Sequence, residues 1–181
     1  MRDLSLHILD LVENSIRASA SEVRIAVSQS VPEDLLSIII EDNGPGLAVP
    51  QDVALDPFYT TKKGKRVGLG LSLFREAAEQ AGGYLALRKS ELGGLAVEAV
   101  MRLSHVDRPP LGDLAGVVSA VVCTNPGLSL CCTLRVEPQQ FTVRVSDVLQ
   151  SLSAEERCGL AVARAMAERT RQAIGALELM P

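Results

Sequence analysis

Asp3, His7, Asp10, Asn14 and Arg17 follow one another at steps of four, three, four and three positions, so in a helix all five lie on one stripe. Such a stripe suits the solvated face of an amphipathic helix. Its Asp10–Asn14–Arg17 part also suits a more specific task, because carboxylate and amide oxygens are ligands for a hard divalent cation and a guanidinium binds phosphate. An asparagine in mid-helix is a middling helix former with no end to cap, which favours the second reading.

A further group is Glu41-Asp42-Asn43-Gly44-Pro45-Gly46. Asp-Asn-Gly is ordinary turn material. Equally, a carboxylate beside Gly44 and Gly46 lets the backbone approach a flat ring while the acid accepts a hydrogen bond from an exocyclic amino group such as that of adenine. The last group runs from Asp56 to Leu71. Residues 56–70 carry four cations against one acid, a local +3 in a chain of net charge −4, so the remainder sums to −7. They lead into Gly68-Leu69-Gly70-Leu71, where free amides at a helix start form an anion site. This is not the dinucleotide-binding glycine pattern, because no strand closely precedes it, and the Gly-x-x-x-x-Gly-Lys-Ser/Thr order of a P-loop is absent.

The elements that must hold these groups can be read from periodicity. Leu4, Ile8, Leu11, Val12 and Ile16 predict a helix over residues 3–18. Val23, Ile25 and Val27 alternate as in a half-buried strand, and the β-branched run at 35–41 predicts a central strand covered on both faces. Residues 43–57 read as loop. A second helix is expected from Leu69 to Ala81, stopped by Gly82-Gly83, with strands at Tyr84–Arg88 and Ala96–Leu103. The first 103 residues therefore read α-β-β-loop-α-β-β, an α/β layer with helices on one face. Arg108-Pro109-Pro110 marks a boundary. Beyond it a helix is expected at 111–123, a strand pair at 128–136 and 140–146, and a final helix from Ser153 with Glu156 completing a capping box. Residues 1–103 and 104–181 are thus expected to be a main domain and a small α+β extension. The extension is too small to stand alone, and packs on the first part or on a partner.

Composition bounds the function. At 181 residues and 47% apolar the chain suits one packed domain with a small appendage. No apolar run approaches the ~18–20 residues a membrane span needs, and the charges of Met1–His7 do not suit a signal peptide. A cytoplasmic location follows as the expectation. A sequence pI near 5.3, no Trp and few aromatics leave little with which to bind nucleic acid. Cys123, Cys131, Cys132 and Cys158 show no Cys-x-x-Cys spacing and read as buried thiols rather than as zinc or iron–sulfur ligands.

Taken in order, these groups resemble the GHKL superfamily of gyrase B, Hsp90, histidine kinases and MutL. Leu11-Val12-Glu13-Asn14-Ser15-Ile16-Arg17-Ala18 resembles its asparagine box, Asp42-x-Gly44-x-Gly46 its first glycine box, Phe58-Tyr59-Thr60-Thr61-Lys62 its phenylalanine box, and Gly68-Leu69-Gly70-Leu71 its second glycine box. The resemblance covers residues 4–103. It implies a two-layer Bergerat-type sandwich, a mixed sheet with helices on one face, that holds ATP and Mg2+ under a lid. It further implies that Asn14 coordinates magnesium, that Asp42 binds the adenine amino group and that Gly68, Leu69, Gly70 and Leu71 line the phosphates. Gly44 and Gly46 would flank the base, Arg17 would touch phosphate, and Thr60 and Lys62 would belong to the lid, Lys62 on the catalytic side.

Asp10 occupies the position where the gyrase, Hsp90 and MutL branches carry a glutamate that activates water, so it is the candidate general base despite being one methylene shorter. Arg17 and the lid of nine residues between Phe58 and Gly68 are closer to the kinases. The three residues before Leu4 leave no room for a phosphoacceptor helix, so none is expected ahead of the first helix. Ser104-His105-Val106-Asp107-Arg108-Pro109-Pro110-Leu111 faintly resembles a phosphoacceptor box, but it follows the region that resembles the catalytic domain, and a linker role for His105 is preferred. His7 is expected in the site wall or at the surface.

The first functional reading is thus a stand-alone slow ATPase or protein kinase acting in regulation, as the anti-sigma-factor serine kinases are. The alternative is a non-catalytic ATP sensor whose extension meets a protein partner or a second copy of the chain.

Overall fold

The computed structural model describes residues 3–56, 69–155 and 157–180. Helix α1 (Leu4–Arg17) starts at Asp3, whose side chain accepts from the Leu6 amide, and buries Leu4, Ile8, Leu11 and Val12. A carboxylate acceptor at this position satisfies one of the orphan amides of a helix start. Two more of those amides are satisfied from far along the chain: Leu4 N–H donates to the Pro110 carbonyl at 2.9 Å and Ser5 N–H to that of Leu111 at 2.8 Å.

Strands β1 (Glu22–Ser30) and β2 (Leu35–Asp42) pair antiparallel with Val23 opposite Asp42. In β2 only Leu36, Ile38, Ile40 and Asp42 are buried, whereas Ser37, Ile39 and Glu41 are half-buried. The expectation of cover on both faces is therefore corrected. Ile39 lies between Ala26 and Glu98 on the neighbouring strands, so its shielding comes from cross-strand side chains and needs no second helical layer. The expected loop at 43–57 contains a one-turn helix α2 (Gln51–Ala54).

Helix α3 (Leu69–Gln80) buries Phe74 and Ala78. It ends at Gly82, whose φ of +74° is the left-handed conformation that glycine adopts without penalty. Gly83 N–H then donates back to the Ala78 carbonyl at 2.9 Å, closing the helix as a Schellman motif does. Strands β3 (Tyr84–Lys89) and β4 (Leu95–Arg102) follow as an antiparallel pair, and β4 docks on β2.

The rest of the chain extends the same sheet. Helix α4 (Leu114–Thr124) leads to β5 (Ser129–Val136), which pairs parallel with β1, and β6 (Gln139–Arg144) closes the edge. The described residues thus form a six-stranded mixed sheet in the order β3-β4-β2-β1-β5-β6. The buried strand positions, Ala96 excepted, fall on the face where α1, α3, α4 and α6 (Gly159–Leu177) pack, and one apolar cluster runs through all of them.

Three details differ from expectation in this part. An additional helix, α5 (Val145–Ser151), follows β6 directly. Helix α6 begins at Gly159, not Ser153, and Glu156 lies outside the described residues; a capping-box spacing is a local match that tertiary packing overrode. Only Cys132 is buried, while Cys131 is half-buried and Cys123 and Cys158 are exposed, because the latter two sit at the ends of helices that face solvent there.

Candidate functional site

The last residue of β2 anchors the site. Asp42 is 6% exposed, and its carboxylate is held by three donors. Ser15 Oγ donates to Oδ2 at 2.6 Å, and the Gly44 and Leu95 amides donate to Oδ1 at 2.8 and 3.2 Å. A carboxylate offers about four acceptor positions, so Oδ2 keeps one for a further donor among these partners. Close approach explains one glycine: a Cβ at Gly94 would lie 2.2 Å from Asp42 Oδ1 and 2.6 Å from its carbonyl oxygen. Gly46 has a φ of +76°, which a glycine adopts freely. Asn43 is directed elsewhere, accepting from the Ser21 and Glu22 amides at 2.9 Å each, and so braces the entry to β1.

One turn apart on α1, Asp10 and Asn14 face the start of α3. Asn14 Nδ2 donates to Asp10 Oδ2 at 3.4 Å, and a Cβ at Gly70 would lie 1.8 Å from the same oxygen. The first turn of α3 therefore rests on the Asp10 carboxylate, and only glycine fits there. Asn14 Oδ1 in turn accepts from Arg17 Nη2, and Arg17 Nη1 lies 3.7 Å from Glu13. The polar stripe is thus divided by burial. Asp3 caps the helix, Asp10 and Asn14 are half-buried, and Arg17 is exposed.

His7 is buried, not at the surface, and its ring stacks on Phe74 of α3 with centroids 4.9 Å apart. Burial pushes its pKa down to about 4, because the interior disfavours the charged imidazolium. Its Nδ1 has no hydrogen-bond partner among the described residues.

Of the residues expected to do chemistry, the fold brings Asp10, Asn14 and Gly70 together on the α1–α3 seam, the exposed Arg17 is bonded to Asn14 on its own helix, and Ser15 links that helix to Asp42. Leu69 opens α3, and Leu71 packs against the core. Thr60, Lys62 and Gly68 lie outside the described residues, as does the rest of the phenylalanine box. His105 packs against Gly82, beyond the far end of α3 from Gly70. It accepts from the Asp107 amide at 3.2 Å, in keeping with a linker role.

Ser15 and Gly94 were not singled out by sequence. A serine on the buried face of a helix is a signal in itself, since its hydroxyl must find a partner there.

A mixed sheet layered with helices on one face is also the fold of the Aquifex aeolicus MutL ATPase domain complexed with ADP. That structure is 18% identical, with a TM-score of 0.51 over 91% of this chain and 70% of that one. The family described as histidine kinase-, DNA gyrase B-, and HSP90-like ATPase matches residues 2–105, and the chain belongs to it. Among curated relatives, the sensor protein kinase CarS of Pseudomonas aeruginosa is 34% identical over 59% of this chain and 24% of its own length. The sensor histidine kinase CpxA of Escherichia coli K12 is 33% identical over 48% of this chain and 20% of its own. The chain thus spans a quarter or less of these relatives. Among the described residues no helix is long and apolar enough to cross a membrane.

Proposed function

We propose that the chain binds ATP with magnesium where α1, the end of β2 and the start of α3 converge, and that it hydrolyses ATP slowly or transfers a phosphoryl group to a protein. The observation that supports this best is the Asp42 carboxylate, buried and held by Ser15, Gly44 and Leu95 with one acceptor position left. A single amino-group donor, as adenine presents, completes that set.

The donor set suits magnesium as well, since Asp10 and Asn14 supply hard oxygen ligands on adjacent turns. Magnesium, when bound, neutralises charge on the phosphate oxygens. Asn14 would hold it through Oδ1, the oxygen that now accepts from Arg17. Arg17 would then turn from Asn14 toward the phosphates, where a guanidinium forms paired hydrogen bonds. Gly44 and Gly46 would flank the base, and the backbone of Gly68, Leu69, Gly70 and Leu71 would line the phosphates at the positive end of α3. Thr60 and Lys62 would contribute from the lid. Asp10 would accept the proton of the attacking water or hydroxyl. The biological reading is a cytoplasmic regulatory protein whose phosphate acceptor is water or a partner protein, with self-association as a further possibility for the region after residue 104.

One observation favours the sensor alternative. Asp10 Oδ2 is seated against Gly70, which limits the room for a water between the carboxylate and a phosphate. Incubation of the pure protein with γ-labelled ATP and magnesium separates the two. Release of free phosphate, or label on protein, that disappears in Asp10→Asn while ATP binding persists supports the enzyme. Binding without turnover in the parent protein supports the sensor, and absence of binding that Asp42→Asn leaves unchanged overturns both.

A further inference from the structure

The four cysteines occupy three environments. Cys132 is buried beneath the helices and its thiol is pushed up to about 12 by burial, so it carries no useful thiolate at neutral pH. Cys131, next to it in β5, points to the opposite face of the sheet, between its cross-strand neighbours Arg24 and Arg144. Cys123 in the last turn of α4 and Cys158 at the head of α6 are both exposed.

These last two are far apart in sequence and adjacent in space. Helices α4 and α6 pack on one another, and the Cβ position of Gly159 lies 3.9 Å from the carbonyl oxygen of Cys123. One residue step along the chain is ~3.8 Å, and a disulfide joins Cα atoms ~4.4–6.8 Å apart. Contact at Gly159 therefore places the preceding residue, Cys158, beside the C-terminal end of α4, with its Cα within about 12 Å of that of Cys123 when these steps are added, so closing the bond requires the segment before α6 to move toward α4. Cys158 makes no side-chain capping bond and lies just outside the first turn of α6, so its side chain can reorient without breaking that helix.

We propose that Cys123 and Cys158 form a redox dithiol that closes to an intramolecular disulfide on exchange with a low-molecular-weight disulfide such as glutathione disulfide. One protein thiolate attacks a glutathione sulfur, forming a mixed disulfide and releasing one glutathione thiolate. The second protein thiolate attacks the protein-side sulfur, closes the Cys123–Cys158 bond and expels the second glutathione. Two protein thiols are oxidised, one disulfide is reduced to two thiols, and the two protons end on glutathione. The bond fixes the end of α4 to the start of α6 and closes a loop that contains β5, β6 and α5. The Cys131 site lies on the other face of the sheet and takes no part.

The full-length chain is incubated with glutathione disulfide at neutral pH, quenched with acid, and examined by thiol titration in denaturant, intact mass and peptide mapping. The titre is expected to fall from four to about two, with a monomer lighter by two hydrogens, a Cys123–Cys158 cross-linked peptide, and full recovery on reduction. Cys123→Ser and Cys158→Ser alter exposed positions and are each expected to stop at a single glutathione adduct on the remaining partner. An unchanged titre, stable adducts on both cysteines without closure, a cross-link through Cys131, or only interchain disulfides would each overturn the proposal. None of these outcomes depends on nucleotide binding.

Discussion

Ser15 Oγ donates to Asp42 Oδ2 at 2.6 Å, joining the buried face of α1 to the end of β2. It couples the helix that carries Asp10 and Asn14 to the carboxylate proposed to hold the base. Removing the hydroxyl leaves a buried charged oxygen without its donor, at a cost of about 2 kcal/mol. Ser15→Ala is expected to lower the unfolding free energy by about that amount and to weaken ATP binding at least about tenfold, as read by denaturant titration and calorimetry. Unchanged affinity would separate Ser15 from the site.

Glycine positions give a contrast within one protein. Gly94→Ala puts a methyl group 2.2 Å from Asp42 Oδ1 and 2.6 Å from backbone, and overpacking of this kind costs about 1–3 kcal/mol. Gly175 lies exposed in α6 with nothing within 4 Å of a new Cβ. Gly175→Ala is expected to stabilise by about 0.5–1 kcal/mol through helix propensity. Thermal unfolding of the two variants should shift in opposite directions.

Gly70 and Asp10 invite a double-mutant cycle. Gly70→Ala alone forces the new methyl against Asp10 Oδ2 and is expected to be destabilising. In an Asp10→Ala background the obstruction is gone, so the same change should cost less, with a coupling above about 0.5 kcal/mol. Additive effects would show that α3 does not rest on that carboxylate in solution.

His7 sets a pH dependence. Its folded pKa is lowered from 6.5 to about 4, so between those values the unfolded chain binds the proton that the folded chain refuses. Stability is expected to be fully present above pH 6.5 and to fall as pH drops toward 4, by about 2 kcal/mol after allowance for solvent screening. Denaturant unfolding across this range should show a slope that flattens in His7→Gln, which does not titrate. An unaltered slope would assign the effect to other groups.

Much of the candidate site was legible locally. The spacing of Asp10, Asn14 and Arg17 needed only the helical period, and Asp42 needed only a strand end followed by glycines. Ser15 and Gly94 were not legible in the same way, because what matters about them is contact with Asp42, separated from it by 27 and 52 positions. Local pattern carries no information on which segments meet. The same reason explains β2, whose apolar run does not say whether its second face is covered by helices or by neighbouring side chains.

The sequence by itself determined the family, the order of every element except the short helices α2 and α5, and the types of group on α1 that face the start of α3. These follow from short-range periodicity, turn residues and motif spacing. Only the tertiary structure decided that His7 is buried against Phe74, that Asp42 has three partners, and that β5 lies parallel beside β1 so that residues beyond 104 complete one sheet. Each of those is a long-range pairing. Burial and hydrogen-bond satisfaction across the whole core select among pairings that local sequence leaves equivalent.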